Sequence, residues 1–164
     1  PRIYPLYHIP VPPGRYDFID TTSLLNGDAL KTALQRDLGI IARYENVETN
    51  VLALVLKQTN APGIKLSRRP GSSGGSHSSL TSVDWAHEGE SMSQVAGFVE
   101  SIFRVPVVDH TGLTNRYDLK LSYPLNQDGT ADKDGFKKAI LDQLGIDIVP
   151  AREPIEYLVV DKAQ

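Results

Sequence analysis

The chain repeats itself, and that repeat constrains its fold more than any other feature. Arg15-Tyr16-Asp17-Phe18 returns as Arg116-Tyr117-Asp118-Leu119. Leu30–Ile40 returns as Phe136–Ile146, each segment with a helix-spaced apolar stripe and a glycine at the same place. Val51–Leu56 then aligns with Ile155–Val160, ALVL on YLVV. Each copy reads strand, loop, helix, strand, strand. A tripeptide match alone is within reach of coincidence. One followed in order by a helix, its glycine stop and an apolar strand is not, so the sequence predicts two related units. The spacing moves from 101 to 106 residues between the tripeptide and the helix, which gives the second copy a loop five residues longer.

Three segments have helical periodicity. In Ser91–Phe103 the residues Met92, Val95, Ala96, Val99, Ile102 and Phe103 form one stripe, and Ser91 with Gln94 has the capping-box pattern. A second helix is expected from about Asp28, as N-cap, to Gly39, and a third from about Asp134 to Gly145; a left-handed glycine stops each. None is long enough to be stable without packing. Strands are expected at Tyr16–Asp20, Ile40–Tyr44, Val51–Leu56, Leu80–His87, Val105–Val108, Arg116–Tyr123, Ile146–Val149 and Ile155–Val160. Arg116–Tyr123 alternates like a sheet with one wet face. Val51–Leu56 and Ile155–Val160 read as central and buried.

Two stretches read as irregular. Residues 1–14 hold five prolines and suggest an extended lead-in. Arg68–Ser79 (RRPGSSGGSHSS) reads as a flexible tract. The expected organisation is a lead-in (1–14), a first, incomplete repeat (15–67), the Ser/Gly tract (68–79) and a second, complete repeat (80–164). The second repeat adds a strand–helix–strand ahead of Arg116. The expected fold class is α+β: duplicated strand–helix–strand units, small mostly antiparallel sheets, and helices packed on one face.

Composition removes several kinds of function. With 17 basic against 20 acidic residues the net charge is −3, which offers no footprint for nucleic acid. No window approaches the roughly 18 apolar residues of a membrane span. The absence of cysteine excludes thiol catalysis, disulfides and Cys-ligated metals.

Candidate chemistry is sparse. Arg116 and Asp118 share one face of a strand around Tyr117, as Arg15 and Asp17 do around Tyr16. They read either as a recognition face or as a surface ion pair, with the ion pair favoured. Asp109-His110 is an acid–imidazole pair in a loop, but no G-x-S-x-G elbow accompanies it. His8, His77, His87 and His110 lack metal-ligand spacing. Asn126–Gly135 invites a calcium reading, yet the loop's twelfth position is Leu141 where a bidentate glutamate is needed. Trp85, Tyr4, Tyr7, Tyr44 and Tyr157 could line a groove, with core packing the default. No catalytic, cofactor or metal residues are expected; the binding candidates are Asp109, His110, Thr111, Arg116 and Asp118.

The run Val105–Leu119 (VPVVDHTGLTNRYDL) resembles the PV-V-D-TGLTGRYDF signature of a family of uncharacterised, soil-associated bacterial proteins carrying a domain of unknown function. Leu141–Gly145 with Pro154–Asp161 is similar to that family's LQEQLGLKLEP…GPVEVLVID ending. Leu52–Lys57 with Pro62–Leu66 is similar to its YALVVAK…GPKLK region. Asn115 stands where the family often has glycine, and asparagine also tolerates left-handed backbone. The resemblance implies an exported protein with a signal and an upstream third, found alone or fused to membrane-bound sensor-type peptidases or thioredoxin-like modules. More distantly, the strand–helix–strand pair resembles short N-terminal domains of secretins and TonB-dependent receptors.

The leading expectation is a non-catalytic, extracytoplasmic module (periplasmic or secreted) that takes a protein or peptide partner at an exposed sheet edge. The alternatives are a hydrolase near Asp109-His110 and a sensory or regulatory ectodomain of a membrane partner.

Overall fold

The computed structural model describes residues 4–10 and 27–163. Eleven elements follow one another: β1 (Tyr4–Tyr7), α1 (Gly27–Leu38), β2 (Ile40–Leu56), β3 (Ile64–Leu66), β4 (Ser73–Ser78), β5 (Ser82–Glu90), α2 (Met92–Phe103), β6 (Val107–Asp109), β7 (Tyr117–Pro124), α3 (Lys133–Leu144) and β8 (Ile146–Lys162). The fold is α+β, with eight strands among the described residues in two four-stranded sheets. The chain divides into two compact units, Pro1–Thr49 with Glu153–Gln164, and Asn50–Arg152.

In the second unit the antiparallel sheet has the order β3-β7-β5-β4. Alternation on β7 turns Leu119, Leu121 and Tyr123 inward, and on β5 Val83 and Trp85; all five are buried. Onto this face pack the stripes of α2 (Met92, Val95, Val99, Phe103) and α3 (Phe136, Ile140, Leu144), joined by Leu54, Ile146 and Ile148 in one core. Phe136 is its aromatic centre, with ring centroids 4.9 Å from Tyr123, 5.7 Å from Phe98 and 5.9 Å from Phe103. Each such side chain contributes roughly 1.5–3 kcal/mol by leaving water. Both parts of the capping box form at Ser91 and Gln94. Each crossover helix changes sheet: β5–α2–β6 and β7–α3–β8 both lead from the antiparallel sheet to the other one. There Leu52–Leu54 pairs in parallel with Val107–Asp109.

In the first unit α1 stops at Gly39, whose φ is 62° and whose N–H donates to Gln35 O at 3.1 Å. β1 lies parallel to β8, Tyr4 opposite Tyr157 and Tyr7 opposite Val160. Val159 is fully buried, and Asp161 holds both Arg43 and, at 2.9 Å, His8. Tyr7 and Tyr44 are about half exposed, at 53% and 52%, whereas Trp85 of the second unit is core.

The structure corrects several expected elements. Ile40–Tyr44 and Val51–Leu56 are parts of one 17-residue strand, as are Ile146–Val149 and Ile155–Val160. The middles, Glu45–Asn50 and Pro150–Pro154, alternate with few buried side chains, so hydropathy breaks where the backbone does not. Part of the proline lead-in is β1. Pro5 is tolerated there because β1 ends its sheet, where one side of the strand needs no ladder bonds. Ser73–Ser78, read as part of a flexible tract, is β4. Its glycine serves close approach: a Cβ on Gly74 would lie 2.4 Å from Ala86 O and 2.6 Å from the His87 ring. Asp28, expected as the N-cap, lies inside α1, and α3 starts at Lys133, one residue before Asp134, with Asp132 as its N-cap. β5 starts at Ser82, leaving Leu80 96% exposed. Tyr16–Asp20 and the first Arg-Tyr-Asp lie outside the described residues.

Candidate functional site

Arg116 and Asp118 do not pair with each other. They hold one residue of the neighbouring strand from both sides: Arg116 Nη1 donates to Gly89 O at 2.6 Å, and Gly89 N–H donates to Asp118 Oδ1 at 3.0 Å. Gly89 has φ 72°, and an added Cβ would lie 2.2 Å from Gly71 O, so this position needs glycine on two grounds. It sits in a β-bulge. His87 faces Leu119 and Glu90 faces Tyr117, which leaves Glu88 and Gly89 opposite Asp118 alone. A hydrogen bond from Ser67 and the Gly89 N–H, with the charge of Arg69, hold the Asp118 carboxyl below its ordinary range against a smaller opposing effect of desolvation. The Arg-Tyr-Asp motif is thus a clamp on a bulge.

The bulge has a consequence for chemistry. Along β5, Val83, Trp85 and His87 face inward and Asp84, Ala86 and Glu88 outward, so strict alternation would turn Glu90 to solvent. The extra residue brings it inside, where it is 4% exposed. Its Oε1 takes the His87 Nδ1 at 2.8 Å and the Ser72 hydroxyl. His87 stacks on Trp85 at 4.5 Å, and Trp85 on Phe98 at 4.8 Å. Serine, histidine and glutamate therefore meet here, but in an order unsuited to acyl transfer. The carboxylate, not the imidazole, bridges the other two, so Ser72 has no imidazole base beside it. Sequence reading missed this cluster. The signal that could have found it is Gly89, an isolated glycine in a strand pattern.

Asp109, His110 and Thr111 form a separate feature. The Asp109 carboxylate accepts the Thr111 N–H at 2.9 Å and its hydroxyl at 2.6 Å, and Thr111 Oγ1 accepts the Leu113 N–H at 3.2 Å. His110 is exposed, and its backbone N–H donates to Leu54 O at 2.9 Å, extending the pairing of β6 with β2. The left-handed residue of this run is Gly112, with φ 71°, and not Asn115. Asp128 and Thr130 repeat the same turn chemistry at 2.9 and 2.6 Å, and those bonds lower the Asp128 pKa. Of the five candidates, the structure joins Arg116 to Asp118 through Gly89, and Asp109 to Thr111 directly.

A cavity of about 520 Å³ opens on the outer face beside Asp118, bordered by Lys65, Glu88 and Lys120. Glu88 is engaged by Arg69 at 2.7 Å. Next to it β4 ends the sheet, exposed at all six residues and paired to β5 alone among the described strands. The remaining end strands are shorter, with three residues in β3 and β6 and four in β1.

These features define a small α+β module with a clamped bulge and an open strand edge. No described helix is long and apolar enough to cross a membrane. The chain belongs to DUF3738, a family of proteins of unknown function, whose model matches residues 20–163. No curated protein and no solved structure matches it.

Proposed function

We propose that the protein is a non-catalytic interaction module that accepts an extended peptide segment along the outer edge of β4. One observation carries the reading: among the described residues β4 is a six-residue end strand with one side open, and it lacks the lysines and prolines that commonly guard an edge. An added strand would take its affinity from main-chain hydrogen bonds and its selectivity from side chains beside alternate β4 residues. The clamp at Gly89 supports this role by fixing β5, the strand on which β4 rests.

The test is selection of extended peptides from a displayed library, followed by binding to Gly75→Pro and Ser76→Pro variants. Adjacent N–H groups of a strand point to opposite sides. One variant is therefore expected to lose peptide binding at least tenfold with little change in stability, and the other to lower stability through the β5 ladder. Selected peptides that bind both variants like the parent, or that are cleaved on incubation, would contradict the proposal.

The proposal includes an extracytoplasmic location and a soil-associated background. Both are supported by the resemblance of Val105–Leu119 to the TGLT-x-RYD signature. Fractionation that finds the native protein in the cytoplasm would remove this part.

A further inference from the structure

A second cavity, of about 840 Å³, lies in the same unit between α2, the turn after β7 and the start of α3. Its apolar wall includes the rings of Phe98 and Tyr123, 6.1 Å apart and tilted by 58°, with Ile102 beside them. Its polar wall includes Arg104, Lys133 and the hydroxyl-bearing Thr130. Among the described residues no carboxylate lines it and neither cation has an ion-pair partner. Asp128, close by in sequence, has its carboxylate engaged by Thr130.

Both cations stand where secondary structure favours something else. Arg104 caps α2 with φ 59°, and it is the only non-glycine residue with positive φ among the described residues. Glycine takes that conformation without strain, as Gly39 and Gly145 do at the ends of α1 and α3. Lys133 is the first residue of α3, where the helix dipole opposes positive charge and favours an anion. Part of Lys133's placement has a local account, since its ammonium lies 5.7 Å from the centre of the Phe103 ring. Arg104 has none of that kind. Backbone strain retained at a cavity wall is a pointer to function.

We propose that this cavity binds a compact organic anion: a flat apolar body against Phe98 and Tyr123, and a carboxylate, sulfonate or phosphate head between Arg104 and Lys133. The site is independent of the β4 edge. Its volume falls within the range of small-molecule sites, and its plan, an apolar wall with a few convergent polar groups, is theirs.

The probe is 1-anilinonaphthalene-8-sulfonate, with N-phenyl-1-naphthylamine as the same body without the charge. The sulfonate is expected to bind saturably at one site per chain. Arg104→Gly should weaken it at least tenfold, the loss of one charge-assisted contact, and change binding of the uncharged probe less than twofold. The same variant should melt at the parent temperature or roughly 2–4 °C above it, because the strained backbone is relieved. Arg104→Gln, which keeps the strained left-handed backbone and removes the charge, should show the same selective loss. Sulfonate binding that is non-saturable, or unchanged in both variants, would overturn the site and mark the dye as an adventitious additive only. Equal weakening of both probes would overturn the ionic contact.

Discussion

Two helix–glycine–strand segments, whose helices and glycines lie one in each unit, are alike in every length and unlike in what they bear. α1, Gly39 and β2 correspond to α3, Gly145 and β8 at a constant offset of 106 residues: twelve residues of helix, one glycine, seventeen of strand. The glycines have φ 62° and 69°, and each N–H returns to the carbonyl four residues back, at 3.1 and 3.0 Å. Each glycine carbonyl also accepts a matching bond at 2.8 Å, from Ala163 N–H in the first unit and Lys57 N–H in the second. Burial separates them. Ile140 and Leu144 of α3 are fully buried, whereas their counterparts Leu34 and Leu38 of α1 are half-buried. A Cβ on Gly145 would lie 2.2 Å from Gln58 O, and one on Gly39 would meet nothing among the described residues within 4 Å. The same local code thus stops the helix and starts the strand in both units, and among the described residues tertiary packing locks that code in the second alone.

The largest expected contrast follows from the stripes. Ile140→Ala should cost about 3–4 kcal/mol through lost burial and a cavity, and Leu34→Ala about 1 kcal/mol. Chemical denaturation of the matched pair measures both, and equal losses would break the comparison. The glycines give a smaller one. Gly39→Ala should cost about 1 kcal/mol for the left-handed backbone alone. Gly145→Ala adds the collision with Gln58 and should cost about 3 kcal/mol. A Gly145 variant no worse than its partner would show that Gln58 yields freely. Smaller again is Arg116→Ala, expected to cost about 1 kcal/mol for the bond to Gly89 O, with faster amide exchange at Gly89 and Glu90.

The smallest effect is electrostatic and has one carrier in each unit. Arg43 above all, with His8, lowers the Asp161 pKa, and Ser67 above all lowers that of Asp118; desolvation opposes both. A carboxyl depressed in the fold adds stability that is full above its unfolded value, near pH 4, and is lost as pH falls through the folded value. Asp161→Asn and Asp118→Asn should each slightly lower the neutral plateau of a stability–pH curve and flatten its acid side below about pH 4, so that variant and parent converge at low pH. A neutral plateau that falls while the acid limb keeps its slope would show a packing role instead.

Sequence legibility followed the same division between local and tertiary causes. Helix α2 was readable because Ser91, Gln94 and the stripe from Met92 to Phe103 are local signals, and Gly39 and Gly145 announced their helix ends. β7 was readable by alternation. The long strands were read as fragments because Glu45–Asn50 and Pro150–Pro154 carry no hydropathy signal. The repeat register was misplaced by two residues at ALVL for a related reason: similar letters were matched, whereas the backbone keeps 106 throughout. β4 was hidden because glycine has two meanings, and its meaning at Gly74 depends on His87 across the ladder. The site was half visible. Arg116 and Asp118 stood out as a motif, but their common partner Gly89 lies 27 and 29 residues away, and the burial of Glu90 follows only once the bulge is known.

The most direct test of the functional account is residue-resolved amide exchange with and without a selected extended peptide. The account predicts slowed exchange at alternate residues of Ser73–Ser78, and none at β1, β3 or the Asp109–Leu113 turn. Protection confined to those other edges, or to the turn, with β4 unchanged, would contradict it.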